Sequence, residues 1–370
     1  MAAAGALAIA SAAPSPAGAA DSVFTVEGTA VDETAGSATE ARELAIATGH
    51  RKAYERLIDR LVLRRDQARA PALAAGRIAE LVLGFEVAGE KTSNVRYLAT
   101  LRFGFSPEAV RRLLRDAGVP FAETRSKTVL VLPVLRRAGA LLLWDGGNDW
   151  LKSWSALPPP DGLVPMIVPR GDLADVADIG AEQALAGDEA RIAAIARRYG
   201  ASDALLAYAV QSYSGASGRA SLQVTVSRIG SGASERTIVQ GFEAAAGEEP
   251  GALLDRAAAA IRTEVEENWK RDNILRFDER RRLVAVASVS DLREWVALRR
   301  RLDDVAFVEK TELVALSRGE ARVRLSYLGD EEQLALALAQ RDLALTRGAT
   351  AWELRLSGGA GPRAAPPEAR

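Results

Sequence analysis

The chain has 370 residues, 48% of them hydrophobic and 26% charged, which is typical of globular domains and not of a disordered chain. Its formal net charge is -1, so no overall charge attracts nucleic acid or anionic lipid. The chain has no cysteine, which excludes disulfides, thiolate catalysis and cysteine-bound metals, and the single histidine, His50, excludes a multi-histidine metal site.

Residues 1–20 resemble the apolar and cleavage regions of a secretory signal. Met1–Ala13 is apolar, and the small residues at 17–19 fit the small-x-small rule for cleavage. The basic region of such a signal is missing, because the first Lys or Arg is Arg42, and a disordered Ala-rich tail is the alternative interpretation. No later stretch approaches the ~20 apolar residues that cross a bilayer. We therefore expect a soluble protein exported to the periplasm.

The first predicted module covers residues 21–123. Val23–Val31 alternates as a strand does, and apolar residues recur at helical spacing over Thr39–Leu63. A short helix and two strands follow, and Ser106 with Pro107 is a strong helix start. The order β-α-α-β-β-α predicts a small antiparallel sheet with one face buried under helices.

The second predicted module covers residues 127–277. The continuous apolar run from Thr128 to Leu135 predicts a strand covered on both faces. Three strands joined by Gly/Ser turns follow over residues 203–243, and a long helix from Gly251 ends the module.

The third predicted module covers residues 281–356 and has the element order βαββαβ, which is the ferredoxin-like pattern. Both of its helices begin with good caps, at Asp291 and Asp330. The Gly/Pro/Ala-rich residues 357–370 are predicted to be a disordered tail. Together these patterns predict an α+β fold of three modules, each a small antiparallel or mixed sheet covered by helices.

The chain carries five segments in this order: Val26–Gly28, Val129–Leu135, Trp144–Trp154, Val168–Asp175 and Ala196–Ala201. In this order of features the chain resembles an uncharacterised proteobacterial exported family, domain of unknown function two thousand and sixty-six. The first module also looks like the N-terminal module of flagellar assembly protein T, and the second like the N-terminal domain of TolB. These resemblances imply a non-catalytic protein of the cell envelope and assign no activity.

The sharpest local feature is the tryptophan segment, residues Trp144–Trp154, which holds half of the chain's 6 Trp residues. Indole rings beside carboxylates and amides can bind sugars, peptides or cations by stacking and hydrogen bonding. In the alternative interpretation, Trp150 and Trp154 are packing residues on one face of a helix that Asn148 caps. The polar members of the candidate surface within this segment are Asp145, Asn148 and Asp149.

Two further acidic residues, Asp172 and Asp175, complete the candidate surface. With Asp178 they recur every three residues, so one helical face could hold a hard cation such as calcium. The spacing is not that of a calcium loop, and acidic residues are favoured at a helix N-terminus in any case. We therefore predict no metal and no cofactor.

From these observations we expect a non-catalytic adaptor or structural protein of the envelope, which binds another envelope protein or the cell wall. The alternative is a small-ligand-binding or hydrolytic protein with its site around Trp144 to Asp175. Nucleic acid is not an expected partner, because the strands of the third module lack the aromatic pairs that stack bases.

Overall fold

The computed structural model describes residues 23–213, 218–230, 237–275, 280–317, 319–348 and 351–357. The predicted leader, and the predicted tail beyond Ser357, lie outside these residues. The chain divides into two compact units. The first consists of the chain up to Ile58 and of Arg69–Gly118. The second consists of Asp59–Ala68 and of the chain from Val119 onward. The described residues form three small sheets with helices, so the predicted α+β class is confirmed.

The first sheet lies in the first unit and has the strand order β1-β3-β2, antiparallel throughout. One face of β3 is buried, and this face carries Leu101 and Phe103. The elements are β1 (Thr25–Thr34), α1 (Ala38–Leu61), α2 (Ala75–Ala79), β2 (Val82–Thr92), β3 (Arg96–Phe105) and α3 (Pro107–Asp116).

Close contact between α1 and β3 depends on Gly49. A Cβ atom at this position would lie 2.6 Å from Leu101 Cδ1 and 3.1 Å from the ring of Phe103. Only a residue without a side chain lets the helix approach the sheet this closely.

The second sheet has the order β5-β4-β7-β8-β9, and the short β6 also pairs with β4. On one face of β4, Leu130 and Leu132 pack in a cluster that includes Ile192 of α7. The elements of this part are β4 (Val129–Arg137), β5 (Ala140–Leu142), α4 (Asp149–Ala156), β6 (Met166–Ile167), α5 (Leu173–Asp178), α6 (Ala181–Leu185), α7 (Glu189–Arg198), β7 (Asp203–Tyr213), β8 (Ala220–Gly230), β9 (Ile238–Glu243) and α8 (Pro250–Asp272).

The third sheet has the order β11-β12-β10-β14-β13. The βαββαβ order is present, and its last strand position is a hairpin of two strands, closed where Gly348 N donates to Ala351 O. Strand β14 inserts between β13 and β10 and runs parallel to β10. The elements are β10 (Arg280–Val289), α9 (Leu292–Asp303), β11 (Val308–Ser317), β12 (Gly319–Leu328), α10 (Glu331–Ala339), β13 (Leu343–Arg347) and β14 (Trp352–Leu356).

No helix in the described parts of the chain combines the length and the apolar composition that a membrane crossing requires.

Candidate functional site

Asn148 fixes the start of α4 against the second sheet. Its Oδ1 accepts a hydrogen bond from Leu151 N at 3.1 Å, which is the predicted N-cap. Its Nδ2 donates to Pro133 O at 2.9 Å and to Leu143 O at 2.8 Å. Asn148 is buried, so these bonds satisfy an amide that has lost contact with water. Its side chain is therefore engaged in holding the fold.

The two helical tryptophans of the segment, Trp150 and Trp154, are both buried. Their rings meet edge to face, with centroids 5.8 Å apart, and Trp150 Nε1 donates to Ala207 O at 2.9 Å. This arrangement is the one that the packing interpretation describes. Trp154 Nε1 is buried without a hydrogen-bond acceptor among the described residues.

The remaining members of the segment lie nearer to the surface. Trp144 is half-buried and donates from Nε1 to Ile179 O at 2.6 Å. The carboxylate of Asp149 lies 2.8 Å from both Lys152 Nζ and Arg137 Nη1. The hydrogen bond from Lys152, with that from Arg137, holds the pKa of Asp149 below its usual value. Both carboxylate oxygens are therefore already paired with cations of the chain itself.

Asp145 lies at the surface beside these residues. It is exposed, and its Oδ2 is 3.4 Å from the backbone N–H of Leu143.

Asp172 and Asp175 form the capping box of α5. Asp172 Oδ1 accepts from Asp175 N at 3.0 Å, and Asp175 Oδ2 accepts from Asp172 N at 3.2 Å. Asp175 is fully buried, and it also accepts from Tyr199 Oη at 2.9 Å. These bonds give both carboxylates a structural role at the helix start.

The cation among the three spaced carboxylates is the guanidinium of Arg198. It donates to Asp175 at 2.5 Å and to Asp178 at 2.8 Å, and it lies 3.9 Å from Asp172. Among the described residues, no group of three or more His, Asp and Glu side chains has the arrangement of a metal site.

The candidate surface has two parts, the tryptophan segment and the acidic residues Asp172 and Asp175. The structure brings only some residues of these two parts close together. Trp144 lies close to the start of α5, because a Cβ atom on Gly171 would be 3.5 Å from its ring. Asn148, Trp150 and Trp154 are instead buried on the side of the second sheet. Two residues of the candidate surface, Asp145 and Asp172, are therefore exposed, and two, Trp144 and Asp149, are half-buried. The other four belong to the core: Asn148, Trp150, Trp154 and Asp175.

A groove of about 490 Å³ lies beyond the end of α4, and no pattern in the sequence indicates it. We call it the proline groove. It is formed where the loop at residues 158–160 and the chain around β6 face α8. The residues that define it are Trp154, Pro158, Met166, Val168, Arg170 and Arg262.

His50 lies in the first unit, as a packing residue. It is buried, with its ring centroid 4.9 Å from that of Phe103 and 6.1 Å from that of Phe85. Burial lowers the pKa of its imidazole below the usual value, so the ring is neutral at neutral pH.

The most exposed strand of the first unit is β2. Among the described residues it pairs with β3 along one side only, so it stands at the edge of its sheet. Ten of its eleven residues are exposed. Among them are three large apolar residues, Leu83, Phe85 and Val87, with 75%, 39% and 37% of their surface accessible.

Comparison with known proteins concerns the first module. Residues 25–123 match the family described as Domain of unknown function (DUF8605). No curated protein matches the chain, and no solved structure matches it. The finer resemblances, to domain of unknown function two thousand and sixty-six, to flagellar assembly protein T and to TolB, are not confirmed by these comparisons.

Proposed function

We propose that this chain is a non-catalytic protein of the cell envelope, exported to the periplasm, which binds another envelope protein through the open edge of β2. The observation that carries the proposal is the exposed apolar edge of this strand. Export is supported by the apolar residues Met1–Ala13 and the small residues that follow them. The resemblance to an uncharacterised exported family supports the same compartment.

An edge strand leaves one row of backbone N–H and C=O groups without a neighbouring strand. An extended segment of a partner can pair with this row, and the backbone hydrogen bonds then supply much of the affinity. The regular part of β2 is Gly84–Ala88, where pairing with β3 runs without a bulge. Register shifts between Val82 and Gly84, and between Ala88 and Lys91, limit the pairing stretch to about this length.

The edge of β2 offers a partner apolar side chains as well as backbone groups. Phe85 lies opposite Phe103 and Val87 lies opposite Leu101, so both point to the buried face of the sheet. They are nevertheless exposed, because they stand at the margin of that face. An added strand would place alternate side chains against Phe85 and Val87 and would cover them from water.

Most protein surfaces protect such an edge with charges or proline. Here the regular part of β2 has one charged residue, Glu86, which is paired with Arg102 at 3.0 Å on the other face of the sheet. On the face of the sheet that carries Phe85 and Val87, the stretch Gly84–Ala88 therefore has no charged side chain that could repel a second strand.

The proposal is tested by crosslinking from β2 inside the cell. A photo-crosslinking amino acid at Ala88 is expected to give one discrete adduct with an envelope protein. The substitution Val87→Lys places a charge on the edge and should abolish the adduct. Val239→Lys, on the edge strand β9 and also at an exposed valine, is the matched control and should leave it intact.

Three results would contradict the proposal. These are an adduct that survives Val87→Lys, a chain that remains in the cytoplasm, and adducts formed with cell-wall material alone. Thermal unfolding of Val87→Lys and Val239→Lys shows whether each variant is folded. A lost adduct in a folded variant is then not caused by loss of folding.

A further inference from the structure

The loop that lines one side of the proline groove is restricted in its conformation. Three consecutive prolines, Pro158–Pro160, line one side, and their rings restrict the backbone of this loop. Arg262 Nη1 donates to Pro158 O at 2.7 Å and ties the loop to α8. A groove held in this way exists before a ligand arrives, so binding costs little ordering.

The apolar part of the groove is built from Trp154, Met166 and Val168 together with the proline rings. Its volume of about 490 Å³ falls within the range of small-molecule sites, which is about 300–1,000 Å³. A flat or branched hydrocarbon group of one or two rings therefore fits against these side chains.

The charged part of the groove is entirely basic. Arg170 and Arg262 line it, and no carboxylate does. The exposed side chain of Arg170 makes no hydrogen bond or ion pair within the described chain, and only its backbone N–H is engaged, with Tyr199 Oη at 3.2 Å. Its guanidinium is therefore available to a ligand.

Arg262 lies deeper in the groove than Arg170. Burial lowers the pKa of its guanidinium, although the nearby carboxylate of Glu266 opposes this effect. Glu266 itself is engaged by the backbone, with Leu163 N at 2.9 Å and Val164 N at 3.1 Å. Because burial removes part of its hydration, the guanidinium of Arg262 attracts an anion more strongly than a fully solvated one would.

We propose that the proline groove binds a small carboxylate with an apolar body. The carboxylate lies between Arg170 and Arg262, and the apolar body lies against Met166, Val168 and the prolines. Guanidinium and carboxylate groups match in geometry and form charge-assisted hydrogen bonds. This site is separate from the β2 edge and does not depend on the proposed function.

The first test uses naphthalene-2-carboxylate and its neutral analogue, naphthalene-2-carboxamide, titrated into the full chain by calorimetry. The carboxylate is expected to bind about tenfold or more tightly than the amide, because only the carboxylate forms charge-assisted bonds with the two guanidiniums. Equal affinities, or no binding of either compound, would overturn the proposal.

The second test assigns the site. Arg170→Gln removes a guanidinium that the fold does not use, and it should weaken naphthalene-2-carboxylate binding about tenfold. Arg300→Gln, at an exposed arginine of α9, is the matched control and should leave the affinity unchanged. In ¹⁵N spectra the indole signal of Trp154, assigned with Trp154→Phe, should shift on titration. An unchanged affinity in Arg170→Gln, or shifts confined to other tryptophans, would place the ligand elsewhere.

The same chemistry can come from two sources, a free small acid or the C-terminal carboxylate of a peptide. A tetrapeptide ending in Phe with a free C-terminus, compared with its amidated form, distinguishes them. If the free peptide binds more tightly than naphthalene-2-carboxylate, the ligand is a peptide end. If it binds more weakly, the ligand is a free acid. Val87→Lys should not change the affinity for naphthalene-2-carboxylate or for the peptide. A failure of the groove proposal and a failure of the β2 proposal are therefore separate results.

Discussion

Strands β4 and β2 have the same extended backbone and opposite surroundings. Seven of the nine residues of β4 are buried, whereas ten of the eleven residues of β2 are exposed. Strand β4 has neighbours on both sides and pairs with β5, β6 and β7. In the part of the chain that the structure describes, strand β2 has a neighbour on one side only. In this chain, β4 therefore provides stability and β2 provides accessible surface.

The difference has a physical origin in the sequence. Val129–Leu135 is apolar without interruption, which suits a strand with no solvent-facing side. In β2 the apolar residues are separated by Gly84, Glu86 and Ala88, which suits a strand with one covered face at most. Substitutions in the covering layer of β4 should therefore affect folding, and those on β2 should affect binding.

The largest expected effect comes from opening the layer that covers the second sheet. Trp150→Ala removes a fully buried indole and its bond to Ala207 O, and it should lower the free energy of unfolding by about 3–5 kcal/mol. Urea unfolding followed by circular dichroism measures the loss. Trp150→Phe keeps an aromatic ring but not the N–H donor, so it should lose less. A loss below about 1 kcal/mol in Trp150→Ala would show that the layer contributes little.

A smaller effect is expected from pH. Burial raises the pKa of Glu266 to about 7, from an ordinary value of 4.5, although the N–H groups of Val164 and Leu163 favour the charged form. Between these two values the folded chain holds a proton that the unfolded chain releases, so stability falls as the pH rises from 4.5 to about 7. The loss should be on the order of 2 kcal/mol.

Urea unfolding at several pH values between 4.5 and 8 measures this dependence. Glu266→Gln should flatten the slope in that range, because the side chain no longer titrates. Glu264→Gln, on the same helix, is the matched control and should keep the slope of the unmodified chain. Identical slopes in all three proteins would show that Glu266 titrates as an ordinary carboxyl group.

The smallest effect on folding is expected on β2. Leu83→Ala, at a side chain with 75% of its surface accessible, should change the free energy of unfolding by less than about 0.5 kcal/mol. The same substitution in β4, Leu132→Ala, should cost about 2–5 kcal/mol, because Leu132 is fully buried. Comparable losses in the two variants, measured by urea unfolding, would remove the distinction between the strands.

Much of the fold follows from local signals in the sequence. The three strands predicted over residues 203–243 are present as β7, β8 and β9. Ser106, Asp291 and Asp330 cap α3, α9 and α10 as expected, because a side-chain acceptor before an apolar helical pattern is a local property. The insertion of β14 between β13 and β10 was not predicted, because strand order depends on which distant segments pair.

The candidate site was less predictable than the fold. The sequence singled out Trp150 and Trp154 by their type, but type does not tell a buried indole from an exposed one. The proline groove combines Arg170 with Arg262, which are far apart in the chain, so no motif connects them. The exposure of β2 likewise depends on the absence of a further strand beside it, which its own residues do not encode.

The position of β14 has a consequence for how the chain acquires its structure. Ala285 of β10 pairs with Trp352 of β14, so the interior of the third sheet joins two segments separated by two helices and three other strands. Contacts between distant segments form slowly, because a long loop must close before they stabilise anything. During synthesis, β10 is made well before β14, because two helices and three strands come between them. The nascent chain therefore keeps this sheet open until β14 has been made, and β14 is the strand that completes it.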